Sequence, residues 1–286
     1  MRLVLILLAS GTIVMPLLSC GTSQSVGASG TETEHVVAGF YPLAFAAEEI
    51  GGRRVRVTNL TPPGAEPHDL EVSPSDVAEL READLVLLLG RGFQPQLEDA
   101  AGDGDNVLRL LDTPGLDLRA NGDPHVWLDP VRYERIVARI GLALGAQSAA
   151  NALAKRLRTL DGAYRRGLSD CERSDIVTSH EAFGYLAERY GLRQIAITGL
   201  SPEAEPEPAR LQEVVDLVRR RGVTTIYFET LVSPRIADTV ARETGADTAV
   251  LNPIEGLTEA ESARGDDYFS LMRENLAALR RGLGCR

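Results

Sequence analysis

Short β-branched and apolar runs alternate with helical stretches along nearly the whole chain, and this alternation limits the folds open to it. HVVAGF (35–40), RRVRVTNL (53–60), DLVLLLG (84–90) and NVLRLL (106–111) read as strands in the first half. SDIVTS (174–179), QIAIT (194–198), TTIYFE (224–229) and DTAVLN (247–252) read as strands in the second. Between them, apolar residues recur at helical spacing. YPLAFAAEEIGG is closed by Gly51-Gly52, and SPSDVAELREA has a Ser or Asp cap with Pro74 in its first turn. Repeated strand–helix units make parallel sheets covered by helices. DLVLLLG is apolar throughout, as a strand buried on both faces is. The rhythm breaks once. DPVRYERIVARIGLALG and AQSAANALAKRLRTLDGAYRRGL read as two helices in succession, the second Ala-rich and free of proline. A helix of about 20 residues spans roughly 30 Å, long enough to cross between two lobes. The expected architecture is α/β with two lobes, each a parallel sheet flanked by helices. The lobes comprise residues 35–145 and 169–286, and a long rigid helix at 146–168 joins them. In such sheets ligands gather beyond the carboxyl ends of the strands.

The first residues stand outside this rhythm. MRLVLILLASGTIVMPLLSC carries one charge, Arg2, ahead of an apolar run too short and too interrupted for an anchoring helix. Residues 1–19 read as an export signal. Leu17-Leu18-Ser19-Cys20 resembles a bacterial lipobox, which makes Cys20 the expected lipidated first residue of the mature chain. The Gly/Ser/Thr-rich stretch that follows, within 20–34, reads as a flexible tether. A lipid anchor and a tether would hold a folded domain at the outer face of a membrane without crossing it.

An exported domain has an oxidising environment, which bears on Cys171 and Cys285, the two remaining cysteines. A disulfide between them is expected, tying the end of the chain to the start of the second lobe. No short Cys–Cys spacing supports a thiolate metal site. The formal net charge of −11 argues against a nucleic-acid partner and suits a protein that attracts cations.

Four histidines occur: His35, His68, His125 and His180. His35 opens the first strand and reads as surface or tether. The others sit just past strands or in Pro-stiffened loops. His68 lies in TPPGAEPHDLEVSPSD, His125 in NGDPHVWLDP and His180 in IVTSHEAFGYLA. Their separation in sequence excludes a local zinc finger and suits a site assembled by folding, with ligands from both lobes. Imidazole favours Zn²⁺ among divalent ions, and carboxylate-rich sites favour Mn²⁺, Mg²⁺ or Ca²⁺. Zinc wants four ligands. Glu255, in the Pro/Gly-bracketed loop LNPIEGLT, is the preferred fourth. Glu229, ending TTIYFE, and water are its rivals. Asp123 and Asp129 are each readable as an acceptor for the His125 ring or as plain turn and cap chemistry. Trp127, Phe183 and Tyr185 read as packing, and Glu181 as a charge at a helix start. The acidic run SPEAEPEP reads as a solvated loop. G-x-S-x-G, Walker and H-E-x-x-H motifs are absent, so no motif supports hydrolysis.

Taken together, FYPLAFAAEEIGG, PPGAEPHDLEVSPSD, DPHVWLDP, SHEAFGYLAERYGL and LNPIEGLT resemble the metal-binding lipoproteins of bacterial ABC importers for zinc and manganese. The resemblance covers about residues 35–286. It implies two α/β lobes bridged by a rigid helix and a metal in the cleft between them. It also implies delivery of the ion to a membrane permease, with no catalysis, by a protein that acts as a monomer. Carried over, its ligands fall on His68, His125, His180 and Glu255. Manganese members tend to have glutamate at the third position, so His180 points to zinc, with manganese as the alternative. The His-rich loop that many zinc members carry before the second ligand is missing. A metal-dependent surface adhesin is a further alternative, and a zinc hydrolase a weaker one.

Overall fold

The computed structural model describes residues 33–286. The leader 1–19, Cys20 and nearly all of the tether lie outside the described residues.

The first half runs β1 (Glu34–Ala38), α1 (Tyr41–Gly51), β2 (Val55–Asn59), α2 (Pro74–Glu82), β3 (Leu85–Leu88), α3 (Pro95–Ala101) and β4 (Val107–Arg109). Its strands form one parallel sheet in the order β2-β1-β3-β4. Helices α4 (Pro130–Ala143) and α5 (Gln147–Gly167) follow. The second half runs β5 (Asp175–Thr178), α6 (Gly184–Tyr190), β6 (Arg193–Ala196), α7 (Pro208–Arg221), β7 (Thr225–Phe228), α8 (Arg235–Thr244), β8 (Asp247–Val250), α9 (Glu259–Arg264) and α10 (Tyr268–Leu283). Its parallel sheet has the order β6-β5-β7-β8. Both sheets reverse their winding between the first and third strands, which opens a crevice at the carboxyl ends.

Side-chain alternation along the strands builds layers on both faces. Val36, Ala38, Leu85 and Leu87 point into a large shared core, while Val37, Val86 and Leu88 point the other way, to a smaller cluster with Leu80 and Leu97. In the second sheet Ile176 and Tyr227 face the shared core, and Val177 and Ile226 face a separate cluster under α7 and α8. The shared core runs without interruption from Val36 to Leu283 and includes Leu153, Leu157, Leu160 and Tyr164 of α5. That helix packs along α4 and against α1 and α10, so it is buttressed from both halves. Among the described residues, no helix is long and apolar enough to cross a membrane.

Cys171 and Cys285 are joined by a disulfide across a sequence separation of 114. Three sequence readings change. His35 is buried, at 6% exposure, rather than at the surface. Its main-chain N–H donates to Asp84 Oδ2 at 2.7 Å, and its Nε2 lies 3.1 Å from Thr58 Oγ1. The helix read from His180 onward begins only at Gly184. Glu181 is therefore not a helix-start charge; its N–H donates to the Gly199 carbonyl and its Oε1 accepts from Asn121 Nδ2. The helix α9 was not foreseen, although Thr258 and Glu261 form a capping box at its start.

Candidate metal centre

The loops beyond the strand ends bring four side chains to one point. His68 follows β2 in a loop stiffened by Pro62, Pro63 and Pro67. The Phe93 ring stands edge-on to the imidazole, with centroids 4.6 Å apart. The Gly64 N–H donates to the Leu257 carbonyl at 2.8 Å, which ties this loop to the one carrying Glu255.

His125 precedes a short turn, Val126–Leu128, between β4 and α4. Its main-chain N–H and its Nδ1 both donate to Asp123 Oδ1, at 3.0 and 2.8 Å. His180 follows β5. Its N–H donates to Glu229 Oε1 at 3.1 Å and its Nδ1 to Glu229 Oε2 at 2.7 Å. Each carboxylate thus engages Nδ1 and turns Nε2 inward, where it offers a lone pair whenever the ring is neutral. Glu229, a rival for the fourth position, stands behind His180. Asp129 does not touch the His125 ring. It caps α4 through the Val131 N–H and pairs with Arg132 and Arg189.

Glu255 sits in the loop after β8. Ile254, just before it, adopts φ 57°, a left-handed conformation uncommon outside glycine. Surrounding bonds hold that turn. Asn252 Oδ1 accepts from the Ile254 N–H, Asn275 Oδ1 accepts from the Asn252 N–H, and Trp127 Nε1 donates to the Pro253 carbonyl. Trp127 is thus packed, as read, and also anchors this loop.

Glu255 Oε1 lies 3.2 Å from His68 Nε2, 3.0 Å from His125 Nε2 and 3.5 Å from His180 Nε2. The Nε2 atoms of His125 and His180 are 3.3 Å apart. One atom from each of the four residues falls within 4.8 Å of all the others. The side chains of His125 and His180 are 0% exposed and that of Glu255 1%, whereas His68 keeps 13%. Solvent reaches the cluster from the His68 side.

Lone pairs on neighbouring Nε2 atoms and a carboxylate oxygen repel one another unless something positive lies among them. Protons can fill that need. Burial pulls the His125 imidazole down, yet bonds to Asp123 and Glu255 outweigh it and leave the group above its ordinary value. His180 is likewise penalised by burial but raised well above its ordinary value, chiefly by Glu229. Burial would raise Glu255; hydrogen bonds from the three histidines instead hold it well below the carboxylate range. A divalent cation fills the same need, and Glu255 Oε2 is buried without a hydrogen-bond partner. Sequence reasoning missed Glu66. Its Oε1 accepts from the His68 N–H at 3.1 Å, its Oε2 is buried and unpartnered, and burial beside Glu255 pushes it up to about 8. Its place two residues before His68 is the same signal that marks Asp123 before His125.

Two parallel-sheet halves sharing one core, with three imidazoles and a carboxylate converging at their strand ends, define a metal-binding protein of the solute-binding class. The family of zinc-uptake complex component A, periplasmic (ZnuA), matches residues 36–282, and the chain belongs to that family. It is 34% identical to the high-affinity zinc uptake system protein ZnuA of Bacillus subtilis strain 168, over 93% of each chain. It is 36% identical to the zinc-binding lipoprotein AdcA of Streptococcus pneumoniae strain R6, over 86% of this chain and 55% of AdcA. The chain thus spans about half of that longer relative. The crystal structure of the Zn(II)-bound ZnuA-like domain of Streptococcus pneumoniae AdcA superposes with a TM-score of 0.75 at 37% identity, covering 88% of this chain and 99% of that domain. The laminin-binding protein Lmb of Streptococcus agalactiae, described as both adhesin and metal transporter, gives 0.80 at 32% identity, covering 87% and 99%.

Proposed function

We propose that His68, His125, His180 and Glu255 together bind one Zn²⁺ as the transported cargo. The chain is the extracytoplasmic zinc-binding component of an ABC importer and works with the permease of that system. It binds and delivers the ion and catalyses no reaction.

The observation that carries the ligand assignment is the spacing of the four donors. Tetrahedral zinc with bonds near 2.0–2.1 Å places any two donors about 3.3 Å apart. Four of the six distances among these atoms, 3.0, 3.2, 3.3 and 3.5 Å, bracket that edge, and the whole set falls within 4.8 Å. Three imidazoles to one carboxylate favour zinc over manganese, which prefers oxygen donors. Asp123 and Glu229 orient two of the rings and strengthen them as donors. Residues 35–145 and 169–286 act as the two lobes and 146–168 as the helix between them. The reading extends to the first residues. Cleavage of the 1–19 leader would leave Cys20 lipid-modified, holding the protein at the outer face of the membrane as a monomer.

Metal analysis and competitive titration of purified protein test the assignment. Wild type should carry one equivalent of zinc, and His125→Ala should lose it. Undiminished one-equivalent binding by His125→Ala would overturn the assignment.

A further inference from the structure

A cavity of about 1090 Å³ lies along β6, between Arg119–Asn121, α6 and the segment 199–207. None of the four proposed zinc ligands lines it. Two of its lining residues nonetheless stand directly behind ligands. Gln194 donates from Nε2 to the His180 carbonyl at 3.0 Å. Arg119 stands behind His125 by way of Asp123. Asp123 Oδ1 holds the imidazole, and Asp123 Oδ2, buried and without a hydrogen-bond partner, lies 3.8 Å from Arg119 Nε.

The wall of this cavity offers more donors than it satisfies. The Arg119 side chain is 32% exposed, and its nearest carboxylate among the described residues is Asp123, too far for a hydrogen bond. Its main chain is fixed, since its N–H donates to the Tyr185 hydroxyl and that hydroxyl donates to the Asp123 carbonyl. The other charges nearby are mostly engaged: Arg193 with Asp175, Arg210 with Glu213 and the Ala196 carbonyl, Glu188 with Arg132, and Glu181 with the Asn121 amide. Glu205 and Glu207 are exposed, where salt screens them. The strand itself adds donors. β6 is an edge strand paired only with β5. Arg193 and Ile197 donate to the Ser174 and Thr178 carbonyls, so alternation turns the N–H groups of Gln194 and Ala196 outward. A guanidinium with no hydrogen-bonded carboxylate, lining the same cavity as the outward N–H groups of Gln194 and Ala196, complements an extended chain that carries an acidic side chain.

We propose that this cavity receives an extended segment of a partner protein along β6, with an acidic side chain on Arg119, and that its binding and zinc loading favour one another. The coupling rests on the zinc reading above. A carboxylate on Arg119 offsets the positive charge facing Asp123. Asp123 then accepts more strongly from His125 Nδ1, and the ring becomes a better donor to the ion. Linkage is reciprocal, so the loaded protein holds the segment more tightly than the empty one. A partner could thereby distinguish filled from empty protein without touching the metal.

The test uses the folded mature chain and a short fluorescent peptide of alternating valine and threonine with a central glutamate, read by anisotropy. The glutamate peptide should bind zinc-loaded protein about fivefold or more tightly than zinc-free protein. A glutamine peptide should show no such preference. Arg119→Gln should abolish the preference, and Arg119→Lys should retain part of it, which a merely structural arginine would not predict. Equal binding of the two peptides, equal affinity for loaded and zinc-free protein, or wild-type behaviour of Arg119→Gln would overturn the proposal. Zinc content is measured on every sample. Wild type that takes up zinc without the preference sinks this inference alone, whereas wild type that takes up none sinks the zinc reading beneath it.

Discussion

Glu229→Gln changes one buried atom and separates the role of a ligand from that of a ligand's support. Glu229 is 3% exposed and accepts two hydrogen bonds from one residue, His180, through both carboxylate oxygens. Glutamine keeps the volume but has one acceptor and one NH₂ donor. One of the two His180 donors must then face another donor, or the ring must move its proton to Nε2 and cease to be a ligand. Loss of such an outer partner typically costs 10–100-fold in metal affinity. At about 1.4 kcal/mol per tenfold, that is about 1.4–2.8 kcal/mol. Competition of the purified variant with a zinc-chelating dye should therefore show one equivalent bound at a weakened Kd, with an unchanged circular dichroism spectrum. Glu255→Gln should lose more, because it removes a ligand charge. A Kd within twofold of wild type for Glu229→Gln would refute the orienting role. Stoichiometric loss in Glu229→Gln together with retention in Glu255→Gln would reverse the two glutamates' assignments.

Three further outcomes are expected. Because His125 and His180 are raised in the metal-free protein, their protonation stabilises it at low pH, and that contribution is lost as pH rises through the raised values. Zinc needs the neutral rings, so the melting-temperature gap between loaded and metal-free protein should widen from about pH 6 to about pH 8, with proton release on binding measurable by calorimetry in two buffers; a gap that narrows would contradict the assignment. Reducing Cys171–Cys285, which spans 114 positions, should cost about 4–5 kcal/mol in denaturant unfolding while leaving the zinc Kd nearly unchanged. Gly184→Ala places a Cβ against Arg119 and Asp123 and should cost about 1–3 kcal/mol of stability and weaken zinc binding, both absent if that contact is slack.

The sheets were legible because their burial is periodic. Val36 and Val37 face opposite layers, and the apolar run 85–89 serves both. The histidine loops were legible because proline and strand ends mark them. The choice between Glu229 and Glu255 was open in the sequence, since both follow strands. It turns on where the chain bends. Glu229 follows β7 directly and meets the back of His180, whereas Glu255 comes after the left-handed turn at Ile254. Locally, Asn252-Pro253 marks a turn without fixing its left-handed form, and two of the bonds that hold it come from Asn275 and Trp127, far along the chain. Glu181 and His35 were misread for a similar reason. Their partners, Asn121 for one and Asp84 and Thr58 for the other, are brought close only by folding.

The unequal exposure of the four donors bears on how quickly the ion can leave. An ion held by several bonds exchanges them one at a time, and an attacking ligand breaks first the bond it can reach. On the proposed ligand set, with His125, His180 and Glu255 sealed and His68 at 13% exposure, that first bond would be the one to His68. Equilibrium affinity would then be shared among all four proposed donors, while the rate of surrender would be set at one imidazole on a proline-stiffened loop. A receiver that displaces that single ring turns a tightly held ion into a readily transferred one.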